Sequence, residues 1–154
     1  EGDMFPEPLF TPTTKAEVGH DEAMSFEEVE DMVGADMAAR LAETTKSVYA
    51  SARDMALDKG IVIADTKFEF GTIDGELAII DELLTPDSSR FWDQSGYAPG
   101  KSQPNFDKQF VRDWLNEQGW DHEPPAPALP EDVVQRTRER YEEALQKLTG
   151  RALA

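Results

Sequence analysis

The stretch Gly60-Ile61-Val62-Ile63-Ala64-Asp65-Thr66-Lys67-Phe68-Glu69-Phe70-Gly71, continued by Asp74-Gly75 and Leu77-Ala78-Ile79-Ile80-Asp81-Glu82, decides the fold class. Ile61 to Ala64 is a continuous apolar run of strand length, the pattern of a buried strand. From there the residues alternate, with Thr66, Phe68 and Phe70 on one face and Asp65, Lys67 and Glu69 on the other. Asp74-Gly75 is a turn signal and Leu77 to Ile80 a second apolar strand, so the segment reads as a β-hairpin. Charged side chains on strands this apolar must be paired, solvated in a cleft or bound to a metal. Glu69 and Asp81 at the hairpin end suit Mg²⁺, a hard cation that takes one or two carboxylates plus phosphate oxygens and water. Lys67 between them can neutralise the pair or touch a phosphate. Glu69 and Asp81 share a face only if paired residue numbers add to an even total. A three-residue turn at Ile73-Asp74-Gly75 meets this condition, and a two-residue Asp74-Gly75 turn does not. The competing reading is a solvent-exposed face with an internal salt bridge.

Upstream, the helical period dominates. Met37, Leu41, Thr45, Val48, Ala52 and Met55, widened by Ala38, Ala42, Tyr49 and Ala56, predict a helix over residues 35–59 with a core-packing stripe. Gly60 after Lys59 stops it. Ser25 with Glu28 forms a capping box ahead of a short acidic helix that Gly34 ends. Residues 1–24, with Pro6, Pro8 and Pro12, read as extended loop.

Downstream, residues 84–105 read as a long irregular segment containing Pro86, Pro99, Pro104, Gly96 and Gly100. Loops of this length are uncommon in compact domains and often functional. Asn105 can cap a helix running through Gln118, with Phe106, Phe110 and Trp114 on one face. Residues 120–129 are Pro-rich and extended. Pro130, Glu131 and Asp132 open a last helix, with Val134, Thr137, Tyr141, Ala144 and Leu148 buried and Gly150 at its end. Helices and a hairpin without regular βαβ alternation give an α+β class.

The chain has 154 residues, ten Gly, ten Pro, no Cys and a net charge of −17. This length suits one domain or one lobe of a larger protein. Without cysteine there is no disulfide framework and no thiolate chemistry. No apolar run approaches the roughly 20 residues that cross a bilayer, and no signal pattern opens the chain, so a cytoplasmic location is expected. The acidity argues against nucleic acid polymers and anionic membranes as partners. Residues 1–43 hold twelve acids against two bases, whereas Ser88 to Arg112 reverses the sign. There Arg90, Lys101, Lys108 and Arg112 outnumber Asp93 and Asp107.

Four ordered blocks carry a family resemblance. They are Phe10-Thr11-Pro12-Thr13-Thr14-Lys15-Ala16, Ala64 to Gly71, Asp81-Glu82-Leu83-Leu84-Thr85-Pro86-Asp87-Ser88-Ser89-Arg90-Phe91-Trp92, and Ser102-Gln103-Pro104-Asn105-Phe106-Asp107-Lys108-Gln109-Phe110-Val111-Arg112-Asp113-Trp114. Together, and over nearly the whole chain from Pro6 to Gly150, they resemble the phosphoribosylaminoimidazole-succinocarboxamide synthase (SAICAR synthetase) family. The resemblance implies an ATP-dependent ligase of purine biosynthesis. It joins L-aspartate to the carboxylate of carboxyaminoimidazole ribonucleotide through an acyl phosphate, and its partners are those small molecules. It implies a two-lobed fold loosely akin to ATP-grasp and kinase-like architectures.

Carried across, Glu69 and Asp81 look like the Mg²⁺–ATP carboxylates, with Lys67 on the same row touching the nucleotide. Arg90, flanked by Ser88 and Ser89, resembles the binder of the anionic substrate, for which a guanidinium fork is suited. Asp87 would orient Arg90 or hold a metal-bound water, so Lys67, Asp87 and Arg90 form the expected catalytic set. Lys108 and Arg112 look like further anion contacts, against the plain alternative of a surface pair. Thr11, Thr13 and Lys15 resemble a substrate-side loop. His20-Asp21-Glu22 matches another family stretch, in which Ala23 replaces the usual Asn, and His20 is expected to order the loop. No glycine-rich phosphate loop occurs. The resemblance therefore implies that residues 1–154 are a C-terminal catalytic and substrate-binding portion whose N-terminal ATP lobe is absent, inactive alone. A non-catalytic nucleotide-binding fragment or interaction module is the alternative. An acidic scaffold with no ligand is a third reading, and it leaves the Arg90 block unexplained.

Overall fold

The computed structural model describes residues 2–16, 20–106 and 108–153. The part of the expected extended loop at 17–19, and Asp107 of the fourth block, lie outside the described residues. The chain is α+β and divides into two units, Met4–Ser51 and a larger one holding Glu1–Asp3 with Ala52–Ala154.

The smaller unit holds α1 (Phe26–Val33) and most of α2 (Ala35–Leu57). The expected capping box forms: Glu28 N donates to Ser25 Oγ at 3.2 Å, and Ser25 N donates to Glu28 Oε2 at 2.7 Å. These bonds, the backbone one first, hold the Glu28 carboxyl below its ordinary value of 4.5. Gly34, at φ 84°, ends α1. On α2, Ala38 and Ala56 are buried and the rest of the expected stripe is half-buried, except Met55, which is 64% exposed. The leading segment is not wholly irregular. Thr13 pairs with Ala23 in an antiparallel bridge, and Thr14 N donates to Glu22 O at 2.9 Å. Along this segment Thr11, Thr13 and Lys15 are exposed while Pro12, Thr14 and Ala16 are half-buried, as alternation along an extended chain requires.

The larger unit corrects the strand pairing. β1 (Ile61–Thr66) does not pair with the next strand along the chain. The hairpin is formed by β2 (Glu69–Ile73) and β3 (Glu76–Ile80), while β1 pairs antiparallel with β4 (Ser89–Asp93), inside the stretch expected to be irregular. β4 reads as a strand in hindsight, because Ser89 and Phe91 are buried while Arg90 between them is exposed. A short 3₁₀ turn, Gln94–Gly96, follows it. There burial pushes the Asp93 carboxyl up, but the Ser95 N–H and hydroxyl, helped by Lys147, outweigh it and leave Asp93 below its ordinary value.

α3 (Gln109–Glu117) begins three residues later than a cap at Asn105 predicts. Asn105 is bridged to Trp92, and Phe106 N donates to Phe91 O at 2.8 Å, so this stretch extends along β4 and cannot also be helix. α4 (Glu131–Thr149) has Pro130 as its N-cap and Gly150, at φ 71°, as its left-handed C-cap. Its buried stripe starts at Val133 rather than Val134, which is 45% exposed. The core of this unit is Ala56, Ile61, Val62, Ile63, Phe91, Phe106, Val133 and Ala144. Among the described residues, no helix is long and apolar enough to cross a membrane.

Candidate active site

A β-bulge aims the first side chain of the site. Ile63 lies opposite Phe91, yet Asp65 rather than Ala64 lies opposite Arg90. A regular ladder would set Asp65 against Ser89, on the face that buries Ser89 and Phe91. The extra residue turns Asp65 to the Arg90 face instead. There the guanidinium donates from Nε to Asp65 Oδ1 at 2.7 Å and from Nη2 to Oδ2 at 2.8 Å, a two-pronged pair. One step along, the Ser89 hydroxyl donates to Thr66 Oγ1 at 2.9 Å. Lys67 N donates to Ser88 O at 2.8 Å, and Lys67 Nζ lies 3.2 Å from Glu69 Oε1. Sequence reasoning offered Asp87 either as the orienter of Arg90 or as the holder of a metal-bound water, and the structure gives the first of these places to Asp65. Asp87 instead accepts from the Tyr141 hydroxyl at 3.4 Å and lies 4.0 Å from Lys108 Nζ.

The turn before β4 is tied by its own hydroxyls. Asp87 N and Ser88 N both donate to Thr85 Oγ1 at 3.2 Å, while Thr85 N donates to Ser88 Oγ at 3.1 Å. Such side-chain-to-backbone bonds fix tight turns. The Thr85 hydroxyl also reaches Glu82 Oε2.

The β2–β3 turn is the two-residue Asp74-Gly75, at φ 53° and 84°, the primed type a right-twisted hairpin prefers. Glu69 therefore pairs with Ile80, the odd-sum register, and the expectation of a three-residue turn fails. Strict alternation would then send Glu69 and Asp81 to opposite faces. It does not apply, because β3 ends at Ile80 and Asp81 turns out of the ladder at φ 65°. Both carboxylates line one cavity of about 450 Å³.

That cavity gathers most of the sequence-selected residues. Lys67, Glu69, Asp81, Asp87, Ser88, Ser89, Arg90, Lys108 and Arg112 all line it. Asp65, Glu82 and Gln109 line it too, and sequence reasoning had not placed them in the site. Asp65 could have been found from its place in the charged row, and Gln109 from its position between Lys108 and Arg112. Thr11, Thr13 and Lys15 belong to the smaller unit and are not among the lining residues. Near them, Ala16 N donates to Asp21 Oδ1 and Glu22 N to Thr14 Oγ1, both at 2.9 Å. Thr14, Asp21 and Glu22 thus order this loop.

The electrostatics are local. Five carboxylates and four cations face one another across the cavity, so a chain of net charge −17 presents there a nearly balanced surface. Lys108 is the N-cap of α3 and makes no side-chain cap bond. The open N–H groups of the first turn add to the positive side. Among the described residues, no group of three or more His, Asp or Glu side chains is arranged to hold a metal by itself. Glu69, 15% exposed and beside Lys67, together with Asp81, offers two hard oxygen donors at one cavity. That donor set fits Mg²⁺ carried in on a polyphosphate, which brings its own oxygens and water.

The SAICAR synthetase family model matches residues 1–127. The chain belongs to the SAICAR synthetase family. A phosphoribosylaminoimidazole-succinocarboxamide synthase of Geotalea uraniireducens is 58% identical over 152 residues, which is 98% of this chain and 51% of that protein. The same enzyme of Desulfotalea psychrophila is 54% identical with the same coverage. The SAICAR synthase of Saccharomyces cerevisiae, solved complexed with SAICAR, is 45% identical with a TM-score of 0.86, over 97% of this chain and 49% of that one. The chain spans about half the length of these relatives. SAICAR synthetases are ligases of purine biosynthesis, and the fold of this chain is theirs over nearly its whole length.

Proposed function

We propose that this chain provides the anionic-substrate and Mg²⁺–nucleotide site of an ATP-dependent ligase that joins L-aspartate to carboxyaminoimidazole ribonucleotide. The observation that carries the reading is the single cavity where Glu69 and Asp81 stand with Lys67, Arg90, Lys108 and Arg112 in a chain of this family. The reaction consumes a carboxylate, a triphosphate and an amine. A carboxylate oxygen of the ribonucleotide takes the γ-phosphoryl group and ADP leaves. The aspartate amine then attacks the acyl carbon, loses a proton, and phosphate leaves with its electron pair. All three substrates are anionic, so the site must hold like charges together before it can align them.

The residues divide this task by chemistry. Arg90, held at Nε and Nη2 by Asp65, is fixed in one plane and suits a phosphate or carboxylate of the ribonucleotide. Ser88 lines the cavity beside it, whereas the Ser89 hydroxyl is turned to the buried face and donates to Thr66. Lys108, Arg112 and the α3 N-terminus form a second anion-attracting wall. Glu69 and Asp81 would hold Mg²⁺, and the ion, when bound, neutralises charge on the transferring phosphate. Lys67, 3.2 Å from Glu69, balances its charge and can meet a phosphate oxygen. Asp87, between Tyr141 and Lys108, holds Lys108 toward the cavity. Thr11, Thr13 and Lys15 keep the substrate-side role that the family resemblance gives them. Calorimetric titration with Mg–ADP tests the nucleotide side. Wild-type chain should bind more tightly with Mg²⁺ than without, and Glu69→Gln should abolish that difference. An equal Mg²⁺ effect in wild type and variant sinks the assignment.

A further inference from the structure

α4 lies beyond the residues that the family model matches, which end at 127, yet two adjacent side chains on it touch segments that carry cavity residues. The Arg140 guanidinium donates from Nη1 to the Asn105 carbonyl and, at 3.4 Å, to Asn105 Oδ1. Its central carbon sits 4.7 Å from the centre of the Phe110 ring. Asn105 belongs to the strand-like stretch bridged to β4, and Phe110 lies on α3. One half-buried side chain therefore links the stretch bridged to β4 with α3. Its neighbour Tyr141 donates to Asp87 Oδ1, the same oxygen that faces Lys108.

α3 has no fully buried residue and no side-chain N-cap bond. A nine-residue helix with neither is weakly fixed by its own sequence. It nonetheless carries Gln109 and Arg112, with Lys108 as its cap, into the cavity.

We propose that Arg140, with Tyr141, is a positioning residue that clamps α3 so that Lys108 and Arg112 face the anionic substrate. A guanidinium suits this place, because Nη1 meets both Asn105 oxygens while the central carbon lies over the Phe110 ring. Lysine keeps the charge but has no planar group that can do both at once. The clamp is a matter of structure alone, whereas its effect on ligands rests on the substrate reading of the cavity. The test therefore has two arms.

In the first, amide hydrogen exchange is followed in wild type, Arg140→Lys, Arg140→Met and Tyr141→Phe. Both Arg140 variants should speed exchange in α3 roughly tenfold or more, consistent with losing a charged hydrogen bond. α1 should stay unchanged. Unchanged α3 exchange in both overturns the proposal whatever the ligand does. In the second arm, SAICAR is titrated into Arg140→Lys, Lys108→Met with Arg112→Met, and the triple variant. Arg140→Lys should weaken binding roughly tenfold in wild-type background and add nothing once Lys108 and Arg112 are gone. An equal loss in both backgrounds makes Arg140 a merely structural residue and overturns the proposal. If α3 loosens but Lys108→Met with Arg112→Met binds SAICAR as wild type does, the substrate reading falls and the clamp stands.

Discussion

Asp65 and Arg90 are 55% and 57% exposed, which decides what their pair is for. Exposed ion pairs contribute about 0–1 kcal/mol to folding. A two-pronged geometry at that exposure is better explained by orientation than by stability. Asp65→Asn should therefore change the unfolding free energy by less than about 1 kcal/mol. The same change should weaken SAICAR binding roughly tenfold, because one charged hydrogen bond no longer fixes Arg90. Denaturant titration and calorimetry on one preparation check both halves. A large stability loss with unchanged affinity would reverse the assignment. The charged row was visible in the sequence, since Asp65, Lys67 and Glu69 follow an apolar strand. The partner of Asp65 was not, because Arg90 lies 25 residues away and is brought opposite only by a bulge in a ladder between distant strands. That Asp81 lines the same cavity as Glu69 was legible only by an incomplete reason: its strand parity is wrong, and its left-handed backbone makes parity irrelevant.

At the scale of elements, the local signals were legible. The capping box, the Gly34 and Gly150 stops and the Asp74-Gly75 turn all involve residues within a few positions of each other. Ser25→Ala should cost about 0.5–2 kcal/mol of stability, measured by denaturant titration. Glu28 adds a pH dependence with a definite sign. Its folded carboxyl titrates below the ordinary value of 4.5, so its contribution is present above that value and is lost as pH falls through the depressed one. Glu28→Gln should be less stable than wild type at neutral pH, and the gap should close on acidification. A gap that widens toward acid contradicts the assignment. β4 and the true start of α3 were not legible. Five alternating residues between Pro-rich stretches carry a weak strand signal, and the choice between cap and bridge at Asn105 depends on Trp92 and Arg140 from elsewhere in the fold.

The whole molecule carries two opposed electrostatic demands. A net charge of −17 repels itself, while the cavity gathers four cations to meet anions. Salt should separate the two. Raising ionic strength from about 0.01 to 0.15 M shortens the screening length from about 30 to 8 Å. That should raise the melting temperature, by about 2–4 °C for each kcal/mol of repulsion relieved. The same change should weaken binding of SAICAR, whose attraction to Arg90, Lys108 and Arg112 is screened. Scanning calorimetry and titration across the series check the two signs, and a melting temperature that falls with salt contradicts the first. Family membership was legible from four blocks in fixed order along the chain, which together are far more specific than any one short motif. In the proposed function one cavity, anchored on Arg90, holds the anionic ribonucleotide. The most direct test is calorimetric titration of the 154-residue chain and of Arg90→Met with SAICAR in the same low-salt buffer. We expect saturable binding by wild type and a loss of tenfold or more in the variant, in line with removal of a charged hydrogen-bond donor. Equal affinities, or no binding by wild type, would contradict the account.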